Sequence, residues 1–179
     1  KLGLPVVLLV ATLLAWKFLP AQKTVFLAFF LVSAAWALDY YLTGRVKGWF
    51  QLHTSTLSGM AWTMVISTLL VSAPVILGWL LAGGKAADLF LASSTKAWGI
   101  WVGLAGLFLF GGLGVLQAWG QAGLPIQTVA AALPLALLFS LANAFREELV
   151  YRAVFLKGFQ PVIGLVATIL VTTVVFALA

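Results

Sequence analysis

Residues 60–82 read MAWTMVISTLLVSAPVILGWLLA and contain no charged side chain. A helix needs about 20 consecutive apolar residues to cross the hydrocarbon core of a bilayer, and this stretch is long enough. Inside hydrocarbon every backbone N–H and C=O must be bonded within the chain, which leaves helices and closed barrels as the only spanning structures. Barrel strands are about ten residues long and alternate in polarity. The stretch 60–82 does not alternate, so it reads as a membrane-crossing helix. Pro74 is its expected kink, and Gly83-Gly84-Lys85 its exit.

The same reading extends in both directions. Hydrophobic residues make up 64% of the 179-residue chain and the mean hydropathy is +1.16, against about 45–50% apolar residues in a soluble domain. Upstream, one helix is expected from Leu2 to Leu19 and a second from Thr24 to Leu42, followed by a polar connection from Thr43 to Gly59. Downstream, Ala86 to Ala97 suits a short interfacial helix with Asp88 and Lys96 on its wet side. A fourth spanning helix is expected from Trp98 to Ala118. Its glycines, among them Gly99, Gly103, Gly106, Gly111, Gly112 and Gly114, suit close helix–helix approach. After a loop from Gln117 to Gln127, a fifth helix should run to Phe159, with Pro134 as a candidate kink. Its roughly thirty residues exceed what a simple span needs. Pro161 suits the first turn of a sixth helix that continues to Ala179. The expected fold class is all-α, a polytopic transmembrane bundle of about six helices. Residues 1–179 form a single membrane domain, divided into N-terminal helices (1–120) and a segment (125–179) that carries the charged motif. Lys1 and the apolar end at Ala179 suggest a piece of a longer protein.

The formal net charge of +6 does not indicate nucleic-acid binding. The Lys and Arg residues are scattered through short connections, where basic residues orient membrane proteins, and no basic cluster is interleaved with aromatics. Lys17, Lys23, Lys85, Lys96 and Lys157 fall on one side and Lys1, Arg45 and Lys47 on the other. That count places the turn after the fifth helix in the cytoplasm. Trp16, Trp36, Tyr40, Tyr41, Trp49, Trp98 and Trp119 lie near span ends, as interfacial anchors do. The absence of cysteine excludes disulfides and thiolate metal sites. His53, the only histidine, reads as a surface residue with no second metal ligand near it.

Within this hydrocarbon lies Phe145-Arg146-Glu147-Glu148-Leu149-Val150-Tyr151-Arg152, which holds two of the chain's four acidic residues. A charge in a spanning helix costs about 2.5–3.5 kcal/mol on insertion scales, so such residues face a partner or a wet cavity. Helical spacing puts Ser140, Asn143, Glu147 and Tyr151 on one stripe, and Ala144, Glu148 and Arg152 on its neighbour, rotated by about 100°. Glu148 precedes Arg152 by one turn, the favourable order for an ion pair. Glu147 is left with Asn143 and Tyr151 as hydrogen-bonding neighbours. Different surroundings give two carboxylates different roles, with Glu147 as general base toward water and Glu148 held by Arg152. Folding the sixth helix back on the fifth brings the face of Thr168, Thr172 and Phe176 toward the glutamates. The competing reading is a structural ion-pair cluster of Arg146, Glu147, Glu148 and Arg152.

Glu147 to Arg152 fits EExxxR, and the chain resembles in this respect the CPBP family of CAAX prenyl proteases and bacteriocin-processing proteins, also called Abi. Phe176-Ala177-Leu178-Ala179 is similar to the beginning of that family's second motif, FxxxH, ending one residue before its histidine. The resemblance covers about residues 125–179, and Ala153 stands where the family commonly has glycine. It implies an intramembrane endopeptidase in which glutamates and histidines activate a water against a peptide carbonyl near the membrane surface. Carried over by position, Glu147, Glu148 and Arg152 are catalytic-motif residues, and Phe176 packs beside the second motif. Asn143, Tyr151 and Thr172 are candidate substrate or supporting residues. The implied site is metal-free with no cofactor, and the residues at hand give zinc no support. The implied partners are the lipid bilayer, a membrane protein or peptide substrate, and other membrane subunits. The implied location is a bacterial inner membrane. Some relatives act in membrane assembly or bacteriocin immunity, so a non-catalytic scaffold is the alternative. A small transporter would favour inverted repeats and discontinuous helices, and the sequence shows neither.

Overall fold

The structure is a computed structural model that describes residues 2–89, 91, 98–122 and 125–178. It consists of six helices, α1 (Gly3–Phe18), α2 (Lys23–Trp49), α3 (Leu57–Leu81), α4 (Trp98–Ala122), α5 (Ile126–Ile163) and α6 (Leu165–Leu178), with one 3₁₀ turn at Ala86–Leu89. Among the described residues α2, α3 and α5 are long and apolar enough to cross a membrane. α1 and α6 are apolar helices of 16 and 14 residues. The apolar exterior follows from this composition: Leu13, Phe18, Leu69, Leu77, Val166 and Leu170 are all more than half exposed, as lipid-facing side chains are. The chain is an integral membrane protein.

The core is built where α2, α3 and the second half of α5 meet. Ala28 and Ala35 of α2, Val71 and Val75 of α3, and Val154 of α5 are fully buried there. Small and β-branched side chains let the helices approach closely. Gly158 of α5 marks a close approach to α2, where a Cβ would stand 2.9 Å from the Ala28 Cβ and 3.1 Å from the Thr24 carbonyl oxygen. At that crossing the Thr24 hydroxyl donates to the Gly158 carbonyl at 3.1 Å. Further along, the Thr68 hydroxyl of α3 donates to the Ala142 carbonyl of α5 at 2.9 Å.

Several boundaries differ from the sequence reading. α2 continues past Leu42 to Trp49, carrying Arg45 and Lys47 on a helical extension. α4 continues through Ala118 to Ala122, replacing the first part of the expected loop. The expected interfacial helix begins with the 3₁₀ turn, while Lys96 and the rest of its span (90 and 92–97) lie outside the described residues, except Leu91. α5 does not stop at Phe159. It runs through Pro161, which sits in the last turn rather than opening a new helix. The reversal comes at Gly164, whose φ of +78° is a left-handed conformation glycine adopts without steric cost. In α4, a Cβ at Gly106, Gly111, Gly112 or Gly114 would meet nothing within 4 Å among the described residues, where these glycines do not make the close packing expected of them.

Candidate functional site

The charged motif lies where α5 changes its winding. Glu148–Val154 is a π-helical segment, inserted between α-helical stretches on either side. The Phe155 N–H donates to the Val150 carbonyl, five residues back, and at the entry the Glu148 N–H is shared between the Ala144 and Phe145 carbonyls. Widened turns of this kind are rare and recur at functional sites. The segment buries Leu149, Val150, Ala153 and Val154 in the core while leaving Glu148 and Arg152 outside it. Periodicity alone could not reveal it, because the choice of i→i+5 bonding is decided by packing on other helices.

The two carboxylates occupy separate surroundings. Glu147 is half-buried and lines a cavity of about 200 Å³ bounded by Trp36 of α2, Phe176 of α6, and Arg146, Val150 and Tyr151 of α5. Its Oε1 accepts a hydrogen bond from the Asn143 Nδ2 at 2.9 Å. Tyr151 and Phe176 form an aromatic wall, edge to face, with ring centroids 5.4 Å apart. Glu148 is on the outer side of the helix, where the Arg152 Nη1 meets its Oε1 at 3.0 Å with both side chains more than half exposed. That pair borders a different groove of about 320 Å³, lined largely by Leu89, Leu91, Phe145, Leu149 and Leu156.

Six of the residues singled out from sequence are thus placed as two local groups. Asn143, Glu147, Tyr151 and Phe176 surround or support the inner cavity, apart from Glu148 and Arg152 on the outer groove. Thr172 is buried, and its hydroxyl donates to the Thr168 carbonyl at 2.8 Å and to that of Ile169 at 3.2 Å. It is bonded to its own helix and does not line the cavity. Ser140 is exposed. His53 lies with Gly44, Lys47, Gly48, Gln51 and Leu52 around a hollow at the far end of α2. Among the described residues no three His, Cys, Asp or Glu side chains come together.

Three residues of the site were not picked out from sequence for this role. The Arg146 Nη1 donates to the Ser67 Oγ of α3 at 2.8 Å, and its Nη2 donates to the Asn143 Oδ1 at 2.8 Å. The guanidinium carbon lies 5.1 Å from the ring centroid of Trp36, a cation–π contact with α2. Ser67 and Trp36 gave no signal, since nothing local in sequence connects them to Arg146.

Residues 129–179 match the family described as type II CAAX prenyl endopeptidase, Rce1-like. The matched segment contains Glu147, Glu148, Arg152 and Phe176, and it bears out the CPBP resemblance read from EExxxR. No curated protein and no solved structure matches the chain.

Proposed function

We propose that the chain is part of an intramembrane endopeptidase of the CAAX-protease type, with Glu147 as the general base that activates water. The observation that carries this reading is the placement of Glu147 on a cavity between α2, α5 and α6, tied by Asn143 and separate from the Glu148–Arg152 pair. The matched family supplies the reaction class.

In this mechanism a water enters the cavity and hydrogen-bonds to Glu147. The carboxylate takes one proton while the water oxygen forms a bond to the carbonyl carbon of the scissile peptide, giving a tetrahedral intermediate. Glu147 then passes the proton to the departing nitrogen as the C–N bond breaks, leaving a new carboxylate and a new amine. Asn143 fixes the carboxylate's rotation, so less orientation is lost when water and substrate arrive. Tyr151 and Phe176 offer an apolar wall for the residues beside the scissile bond. Glu148 and Arg152 neutralise each other and hold the outer face of the helix. The chemistry uses no cofactor, and the substrate is a membrane-associated protein or peptide. The bacterial inner membrane is the proposed location.

The test compares source cells carrying the full-length protein with cells carrying Glu147→Gln or Glu147→Ala. New protein termini in the membrane fraction are mapped by mass spectrometry. Termini present with wild type should vanish in both variants, with the variants inserted and accumulated at wild-type levels. Termini that persist would remove Glu147 from the mechanism and favour a non-catalytic scaffold.

A further inference from the structure

We propose that Arg146 is the positioning residue for Glu147, acting through the side-chain amide of Asn143. A guanidinium donates and never accepts, and an ionised carboxylate accepts and never donates. Asn143 sits between one of each: its Oδ1 faces the Arg146 Nη2 at 2.8 Å and its Nδ2 faces the Glu147 Oε1 at 2.9 Å. Only one of the two amide orientations satisfies both neighbours. Flipping it would set the amide NH₂ against the guanidinium and the amide oxygen against the carboxylate. Arg146 therefore selects the orientation in which Asn143 donates to Glu147.

Arg146 is itself held from outside α5. Ser67 of α3 accepts from its Nη1 at 2.8 Å, and Trp36 of α2 packs against the guanidinium face. Its Nε is buried and has no hydrogen-bond partner among the described residues, where the planar head is held by the Ser67 and Asn143 bonds and the ring contact. The chain of contacts runs from α2 and α3 through Arg146 and Asn143 to the carboxylate, so the packing of three helices sets the rotation of one side chain. Arg146 is on a different footing from Arg152, which pairs directly with Glu148 on the outer groove.

The experiment uses the full-length protein in lipid vesicles and the hydrophobic electrophile N,N′-dicyclohexylcarbodiimide, which takes the proton of a carboxyl on its nitrogen and the carboxyl oxygen on its central carbon. Labelling of Glu147 and of Glu148 is followed separately by mass spectrometry, Glu148 serving as internal reference. Arg146→Gln should label at Glu147 at least threefold faster than wild type, with Glu148 unchanged. Asn143→Leu should do the same, and the double variant should exceed neither single one, because both break one chain of contacts. Arg146→Lys, which keeps one donor for Asn143, should return labelling to within twofold of wild type. If Arg146→Gln does not accumulate, Ser67→Ala gives the same test by releasing the outer anchor, and it should also speed labelling. Wild-type labelling of Glu147 in Arg146→Gln, or in Ser67→Ala where that stands in, would overturn the proposal. So would equal acceleration at Glu148.

A second measurement rests on the protease reading: appearance of the Glu147-dependent termini should slow at least tenfold in Arg146→Gln and recover partly in Arg146→Lys. Cleavage that survives Glu147→Gln would defeat the protease reading, and the labelling result would still decide the role of Arg146.

Discussion

Glu147 and Glu148 are adjacent in sequence but differ in their partners, and helical spacing was enough to predict this. The contacts Asn143 to Glu147 and Glu148 to Arg152 are both one turn apart, so any helical winding brings them within reach. The partners of Arg146 were not legible, because Ser67 is 79 positions away and its meeting with Arg146 depends on how α3 lies against α5. Geometry also changes what the outer pair is worth. Arg152 and Glu148 are 67% and 56% exposed on the chain, and Arg152 lies about 7.5 Å along the helix from Lys157, near enough for its long side chain to reach toward the interface. The pair should then behave as a surface ion pair, not a buried one. A double-mutant cycle with Glu148→Gln and Arg152→Gln is expected to give a coupling of about 0.2–1 kcal/mol in unfolding measurements. A coupling above about 3 kcal/mol would place the pair in a sealed, low-dielectric environment.

At the level of elements, hydrophobic run length located every helix, while their ends and internal winding were decided by contacts the runs do not encode. Arg45 and Lys47 looked like part of a polar connection, yet charged residues that can point into water do not end a helix, and α2 continues through them. Pro161 looked like a helix start, but α5 runs through it at the cost of one backbone N–H donor, and Gly164 makes the reversal. Two predictions test how α5 is fixed. Gly158→Val would push side-chain atoms into Ala28 and the Thr24 carbonyl, both on α2, where the backbone cannot move aside. It should destabilise the fold by about 1–3 kcal/mol, as overpacking does, seen as a lower midpoint in thermal unfolding. At the same end of α5, Lys157 reaches Asp88 at 3.5 Å, and the Lys85 N–H donates to the Asp88 Oδ2 at 2.9 Å. The Lys85 N–H, and then the charge of Lys157, hold the Asp88 carboxyl below its ordinary value of 3.8. A carboxyl lowered in the folded state stabilises it above the unfolded value, and that contribution is lost as pH falls through the folded value. Midpoints measured from pH 7 down to pH 3 should therefore decline less steeply near the acid end in Asp88→Asn than in wild type. Parallel curves would mean that the 3₁₀ turn is not held to α5 by this charge.

For the whole molecule, the contacts sort the basic residues into two ends. Lys23 shares a hollow with Trp16, Trp79 and Asp88, and Asp88 in turn meets Lys157, so the start of α2, the turn after α3 and the far part of α5 lie together. Lys47 and His53 border a hollow at the opposite end of α2. Lys23 and Lys47 are 24 residues apart on one helix, about 36 Å at 1.5 Å per residue, which exceeds the roughly 30 Å hydrocarbon core. The two groups should consequently face opposite sides of the membrane, a sorting the sequence count had anticipated from helix order alone. Because these 179 residues contain no cysteine, single cysteines can be placed without background from them. Lys23→Cys and Lys157→Cys should react with a membrane-impermeant maleimide only when it has access to the cytoplasmic face, and Lys47→Cys only from the other side. If all three react from one side, α2 does not cross the bilayer and the inner cavity at Glu147 is not a membrane-embedded site. If the two sides are simply exchanged, the fold stands, and the excess of basic residues around Lys157 does not set its orientation.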